Sequence, residues 1–443
     1  MTLADISKGI HAKTYWIAKI LTLMVITCFS IYDVRAGNFN QKKVKVDNVR
    51  IPTYFFSDSL SDPLCYSSGL YDWDNPYKND LESPLYQDLI GFDWQSYHEA
   101  YSSSLTVQHD AISGPMRNLL AVAHKAIFLR DEDQLNSLEK YLVALAEAET
   151  LMDTITISEA EAMGSCWNGK NKENSACHYH APQYAAIWSA HYTIVAKILA
   201  PHLSQTANVK IASYAKSLYE RFGQPYFLNT TNKKKGGYYE MADGAINALA
   251  YASLVNDEQL AKKIFATALQ EIDERINSEG LIRQNSLRGV RGLWYHSLGL
   301  NGMLAVAFLA DVWQVKIPAH VLKKLKKATT HASKTITDYN YYERLLAKKG
   351  MSYNSSTSKS NERSHLHQLA IGIDVLALRV TNDKLPADVR YISLRKSEGP
   401  TDWLIGFNPR CGIPKTEWIE YDIEKIEMDA LRKKIESRMK RPK

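Results

Sequence analysis

The feature that most constrains this chain is a succession of helix-length segments from about residue 114 to 378. "GPMRNLLAVAHKAIFLRDEDQLNSLEKYLVALAEAETLM", "APQYAAIWSAHYTIVAKILAPHL", "VKIASYAKSLYERFG", "MADGAINALAYASLVN", "DEQLAKKIFATALQEIDERI", "LGLNGMLAVAFLADVW", "PAHVLKKLKKATTHASKTI" and "SHLHQLAIGIDVLAL" follow one another. Each places apolar residues at three- and four-residue intervals, and short polar turns separate them. The two-residue alternation of strands is nearly absent. No heptad is sustained, so a coiled coil is excluded. Antiparallel helices in a row without a strict repeat length predict an all-α fold, an (α/α) toroid or incomplete barrel related to a solenoid.

The flanks read differently. Residues 1–36 carry Lys8, His11 and Lys13, then an apolar run broken by Lys19, then Val34 and Ala36 at the small-residue positions of a signal-peptidase site. That is the pattern of a secretory signal cleaved after Ala36. No later stretch is read as a membrane span. Residues 37–110, rich in Ser, Asp, Pro and Tyr, are expected to be irregular. The helical body then covers 111–416, and 417–443 reads as a charged C-terminal helix packed on one face. Within the body, "NSSTSKSNERS" (354–364) is a polar, low-complexity loop that suits a lid.

An exported chain is free to form disulfides. Removing the signal removes Cys28 and leaves Cys65, Cys166, Cys177 and Cys411. Cys166 with Cys177 would staple a polar loop, and Cys65 with Cys411 would tie the ends of the domain. No CxxC pair favours zinc instead. The expected location is periplasmic or secreted, with no stable membrane insertion after signal removal, as a monomer.

Composition narrows the partner. The net charge of +6 is mild and spread along the chain, so it does not call for nucleic acid and is compatible with an acidic substrate. Tyrosines number 26 and tryptophans nine, enough amphipathic aromatics to line a sugar-binding groove. There is no Gly-rich phosphate loop and no GxSxG elbow, and no cofactor or metal is expected. The Asn229 and Asn354 sequons are of a kind frequent by chance.

The densest chemistry lies in "EGLIRQNSLRGVRGLWYHSLGLNGMLAVAFLAD". Glu279-Gly280 reads as a turn after a helix, and a core helix begins near Leu293. Arg288, Arg291, Tyr295 and His296 therefore cluster at one helix end. Arginines near helix ends most often serve surface pairs, but here the order of residues adds a resemblance. Arg288-Gly289-Val290-Arg291-Gly292-Leu293-Trp294-Tyr295-His296 resembles, without gaps, the Arg-Gly-x-Arg-x-Leu-x-Tyr-His segment of the alginate lyases of polysaccharide lyase family five, which are helical toroids. The resemblance implies that Arg288 and Tyr295 belong to a catalytic centre.

The family's second catalytic element is an Asn-Asn-His ahead of an aromatic helix. Its nearest counterpart is "ENSACHYHAPQYAAIWSAHY", with His180, closest to the helix, preferred over His178. The sequence departs from the family there. Cys177 and Tyr179, rather than asparagines, precede the histidines, and Asn174 and Gln183 are the nearest amides. The resemblance covers roughly residues 110–320.

It implies β-elimination on a uronate polymer, alginate first. The proton on C5 is too weakly acidic to remove until donors neutralise the adjacent carboxylate. A base then takes the proton and an acid protonates the leaving oxygen. Tyr295 would be the acid and also a base, with Arg288 orienting it. His180 would be a second base or a carboxylate partner. Gln183, His178, Arg291 and His296 are substrate-binding candidates, and Tyr184, Trp188, Tyr238 and Tyr239 are candidates for sugar stacking. Three other readings stay open: a lyase for glucuronan or a glycosaminoglycan, an α/α-barrel hydrolase using Glu240 and Asp243, and a non-catalytic polysaccharide-binding protein. Lys233, Lys234 and Lys235 form a basic turn, and His365 and His367 point to different faces.

Overall fold

The computed structural model describes residues 43–58, 80–90, 92, 105–162, 180–233, 238–283, 285–286, 292–337 and 340–348. The five cysteines, the 1–36 segment, His365, His367, the 354–364 loop and the 417–443 tail lie outside the described residues. By its internal contacts the chain divides into Met1–Lys43 and Val44–Lys443, and every described helix belongs to the second unit.

The described residues are predominantly helical. They contain no strand, only an isolated bridge between Ile276 and Ile282. In chain order the helices are α1 Pro84–Ile90, α2 Leu105–Leu129, α3 Glu132–Glu147, α4 Ile157–Ala162, α5 His180–Leu199, α6 Gln205–Leu218, α7 Gln224–Lys233, α8 Tyr238–Leu254, α9 Glu258–Arg275, α10 Gly292–Val312, α11 Ala319–Thr337 and α12 Asn340–Ala347. Asp131, Ser204 and Asp257 cap α3, α6 and α9 by accepting a backbone N–H from the first turn, each worth about 1 kcal/mol.

The long helices form two rows. In one, α2, α5, α8 and α10 lie side by side, each against the next. In the other, α3 backs α2, α6 backs α5, α9 backs α8 and α11 backs α10. Composition sets this order. The first row is apolar around most of its circumference, whereas α3, α6, α9 and α11 each carry an apolar stripe on an otherwise polar surface. A helix covered on several sides can be hydrophobic all round, and one covered on a single side cannot. By length and composition α10 is apolar enough to cross a membrane, contrary to the sequence expectation, yet 89% of its apolar window is buried inside the protein. It is a core helix.

Two close approaches lock α8 in place. Pro225 has no N–H, and its ring would strike the carbonyl of Arg221. The chain widens into a π turn at Tyr219–Gly223 and resumes as α7. A Cβ on Gly223 would lie 1.7 Å from Asn247 Oδ1, and one on Gly244 would lie 2.7 Å from the Cα of Phe227.

Three elements depart from the sequence reading. The "SPLYQ" stretch, expected to be loop, enters α1, where Tyr86 and Leu89 are buried. The rise of α2 begins at Leu105, so it crosses the expected 110/111 boundary and runs through Gly114-Pro115. Asn229 lies inside α7, with Thr230 of its sequon buried. Residues 43–58 are irregular, as expected, but packed. Phe55 is buried edge-on against Trp313, whose Nε1 donates to the Phe55 carbonyl at 2.9 Å.

Candidate functional site

The site is built from the connection between α9 and α10. After α9 the chain turns back on itself. Asn277 Oδ1 accepts from the N–H groups of Glu279 and Leu281 at 3.0 and 2.9 Å. Gly280 takes φ +92°, and a Cβ there would meet the Lys327 backbone at 2.7 Å. The Glu279-Gly280 turn is thus where the sequence placed it. The returning limb delivers two fully buried residues, Asn285 and Ser286.

Asn285 ties two helix starts together. Its Nδ2 donates to the Tyr295 carbonyl at 2.7 Å, and its Oδ1 accepts from the Tyr238 N–H at 3.2 Å. Gly299 leaves room for it, since a Cβ there would be 2.7 Å from Nδ2. Sequence reasoning missed Asn285, because an asparagine in "RQNS" looks like any turn residue.

Ser286 and His296 form the next layer. Ser286 Oγ accepts from the Ile282 N–H at 2.6 Å and pairs with His296 Nδ1 at 2.7 Å. His296 Nε2 meets the Ala328 carbonyl at 3.0 Å. A carbonyl only accepts, so Nε2 carries the proton and Nδ1 accepts from Ser286. Burial pushes the His296 pKa down to about 4, against the support of the Ala328 carbonyl. His296 is therefore a neutral strut between the hairpin, α10 and α11. Its expected contact with substrate is corrected, because the ring has no exposed surface.

Tyr295 sits in the first turn of α10 at 8% exposure, its ring 5.0 Å from that of the half-buried Trp294. Across α8, Gln183 Nε2 donates to Asp243 Oδ2 at 2.8 Å. One to two turns on, Asn247 Nδ2 donates to the Ala186 carbonyl and to Ser189 Oγ, both at 2.8 Å. Contacts that advance together along both helices mean that α5 and α8 run parallel. The first turns of α5 and α8 therefore meet through Gln183, and those of α8 and α10 through Asn285.

Burial raises the pKa of Asp243 well above the usual carboxylate range. The Gln183 bond opposes the shift and the nearby Glu240 adds to it. Glu240 and Asp243 are both buried and one turn apart on a single helix, so they do not face one another across a cleft as a hydrolase pair must.

Two stacking candidates are corrected. Trp188 is 1% exposed and stacks on Tyr192 in the core. Tyr238 has no exposed surface, and its hydroxyl donates to the Ala268 carbonyl at 2.9 Å. Beneath it runs the buried Arg275–Glu271 pair at 2.8 Å. Gln183 is engaged with Asp243, whereas Tyr184 keeps partial exposure. His180 opens α5 and Tyr239 lies in the first turn of α8; both are described by backbone alone. His178, Arg288, Arg291, Lys234 and Lys235 lie outside the described residues.

Among the described residues no three His, Cys, Asp or Glu side chains converge as a metal site. A shallow surface depression beside the π turn is lined by Thr156, Ser217 and Arg221 among others, and by no residue of α5, α8 or α10. Compared with known proteins, the chain matches no family model and no curated relative.

Proposed function

We propose that the chain is an exported polysaccharide lyase with an (α/α)-toroid body, cleaving a uronate polymer, alginate first, by β-elimination. One observation carries the reading. The segments that hold the candidate catalytic residues, the starts of α5 and α10, are both pinned to the first turns of α8, by Gln183–Asp243 and by Asn285. The starts of α5 and α10, more than a hundred residues apart in sequence, thus belong to one end of one helical row.

The chemistry follows the residue types. Parallel helix starts present backbone N–H groups and positive dipole ends, which favour an anionic substrate. Arg288 neutralises the uronate carboxylate and orients Tyr295. Tyr295 removes the C5 proton or protonates the leaving oxygen, with His180 as the second base or carboxylate partner. No cofactor enters the scheme. The hydrolase reading has less support, because Glu240 and Asp243 are buried on one helix.

The test is to incubate the folded protein with polymannuronate, polyguluronate and glucuronan and follow the ultraviolet absorbance of the unsaturated product. A rise with one polymer names the substrate. New reducing ends without absorbance would mean hydrolysis, and binding alone would mean a lectin-like protein.

A further inference from the structure

α11 carries no acidic residue, and its exposed side is cationic. His320, Lys323, Lys326, Lys327 and Lys334 are all exposed. Positions 320, 323, 327, 331 and 334 advance by three and four, so they share one face. The row rises about 21 Å at about 1.5 Å per residue. The opposite face is occupied, since Val321, Leu325, Ala328 and Ala332 are packed in the core.

Other helices of the same row balance their charges. On α6, Lys210 and Lys216 pair with Glu147 and Glu220, and α9 interleaves lysines with Glu258, Glu271, Asp273 and Glu274. Like charges three and four apart destabilise a helix, and α11 keeps them. Among the described residues, Asp273 and Glu279 border this face. Asp273 is taken up by Lys324 at 2.7 Å, with His320 at 3.7 Å, and Glu279 lies beside His331.

The row also leads somewhere. His331 lies 6.1 Å, ring to ring, from His296, next to Tyr295 at the start of α10. At that end the partly exposed Tyr341 bonds His331 through its hydroxyl at 2.9 Å, and Lys334 Nζ lies 5.5 Å from its ring. An exposed face lined by Lys323, Lys327 and Lys334, with His320 and the neutral His331 in the same line, that ends on an aromatic plate matches a strand carrying carboxylates and apolar C–H faces. A membrane-surface helix would need its apolar face free, and that of α11 is buried.

We propose that the exposed face of α11, ending at Tyr341, is an accessory track that binds an acidic polysaccharide strand and leads it toward the start of α10. The identity of the strand as the substrate rests on the lyase reading; its binding does not.

The test compares K323E/K327E with K140E/K263E, which makes the same change in net charge at exposed positions on α3 and α9. Circular dichroism checks the fold, and affinity electrophoresis in polymannuronate at graded salt reads binding. The track variant is expected to bind on the order of tenfold more weakly with a shallower salt dependence, and the control like wild type. If cleavage occurs, the track variant raises KM for long polymer and leaves turnover of short mannuronate oligomers unchanged. Equal loss in both pairs, or in neither, overturns the proposal. So does a wild-type chain that binds phosphatidylserine vesicles but not polymannuronate. A chain that binds through α11 without cleaving keeps the track and loses the lyase reading.

Discussion

Ser286 Oγ donates to His296 Nδ1 across 2.7 Å, with both residues fully buried. The pair fixes the imidazole as a neutral tautomer whose Nε2–H is held by Ala328. Its consequence is a pH-dependent strut at the base of the candidate site. In the unfolded chain the histidine titrates near 6.5, and in the folded chain near 4. Between these values the unfolded state binds the extra proton, so stability is present above about 6.5 and is lost as pH falls toward 4. A gap of about 2.5 pH units at about 1.4 kcal/mol each corresponds to about 3 kcal/mol. Urea unfolding at pH 7 and pH 4.5 is expected to show most of that loss, and H296N is expected to flatten it. An equal slope in the variant would assign the loss to other groups.

Asp243 is expected to act in the opposite sense. Its pKa is raised by burial, so the folded state holds the proton and stability declines as pH rises through the ordinary aspartate range. D243N keeps the shape and the contact with Gln183. It is expected to raise the thermal midpoint at neutral pH, with the advantage shrinking under acid conditions. A variant that is less stable at neutral pH and matches wild type in acid would show that Asp243 is ionised in the folded state.

Asn285 is a positioning residue for Tyr295. Asn285→Ala removes the side-chain bonds to the Tyr295 carbonyl and the Tyr238 N–H, a loss of about 2 kcal/mol. On the lyase reading kcat falls more than KM, because the tyrosine is displaced while the rest of the binding surface stays. A stability loss with unchanged kcat would make Asn285 purely structural.

Gly244→Ala tests the contact of α7 with α8. The new methyl meets the Phe227 backbone at 2.7 and 2.8 Å, which a rotamer change cannot relieve. A loss of about 3 kcal/mol is expected from chemical denaturation. A variant as stable as wild type would mean that α7 shifts freely.

Much of the fold was legible because hydrophobic periodicity sets which helices are buried. α10 was placed within a residue of its start, and the Asp131 cap of α3 falls in the polar break of "RDEDQ". The misses share a cause. Gly114-Pro115, Pro225 and the Ser- and Pro-rich approach to α1 are local breakers, and tertiary packing overrode each of them. Candidate site residues divided along similar lines. Trp188 and Tyr238 look like sugar platforms by type, but period alone does not say which face of an all-apolar helix meets solvent. Asn285 carried no signal, because its role depends on two helix starts more than fifty residues apart.

The most direct measurement is ultraviolet absorbance of the chain with polymannuronate, run beside Tyr295→Phe. Removing one hydroxyl at the start of α10 is expected to abolish the rise while leaving the unfolding midpoint within about 1 kcal/mol of wild type. A folded wild type that produces no unsaturated ends from any uronate polymer, or a Tyr295→Phe variant that cleaves at the wild-type rate, contradicts the lyase reading.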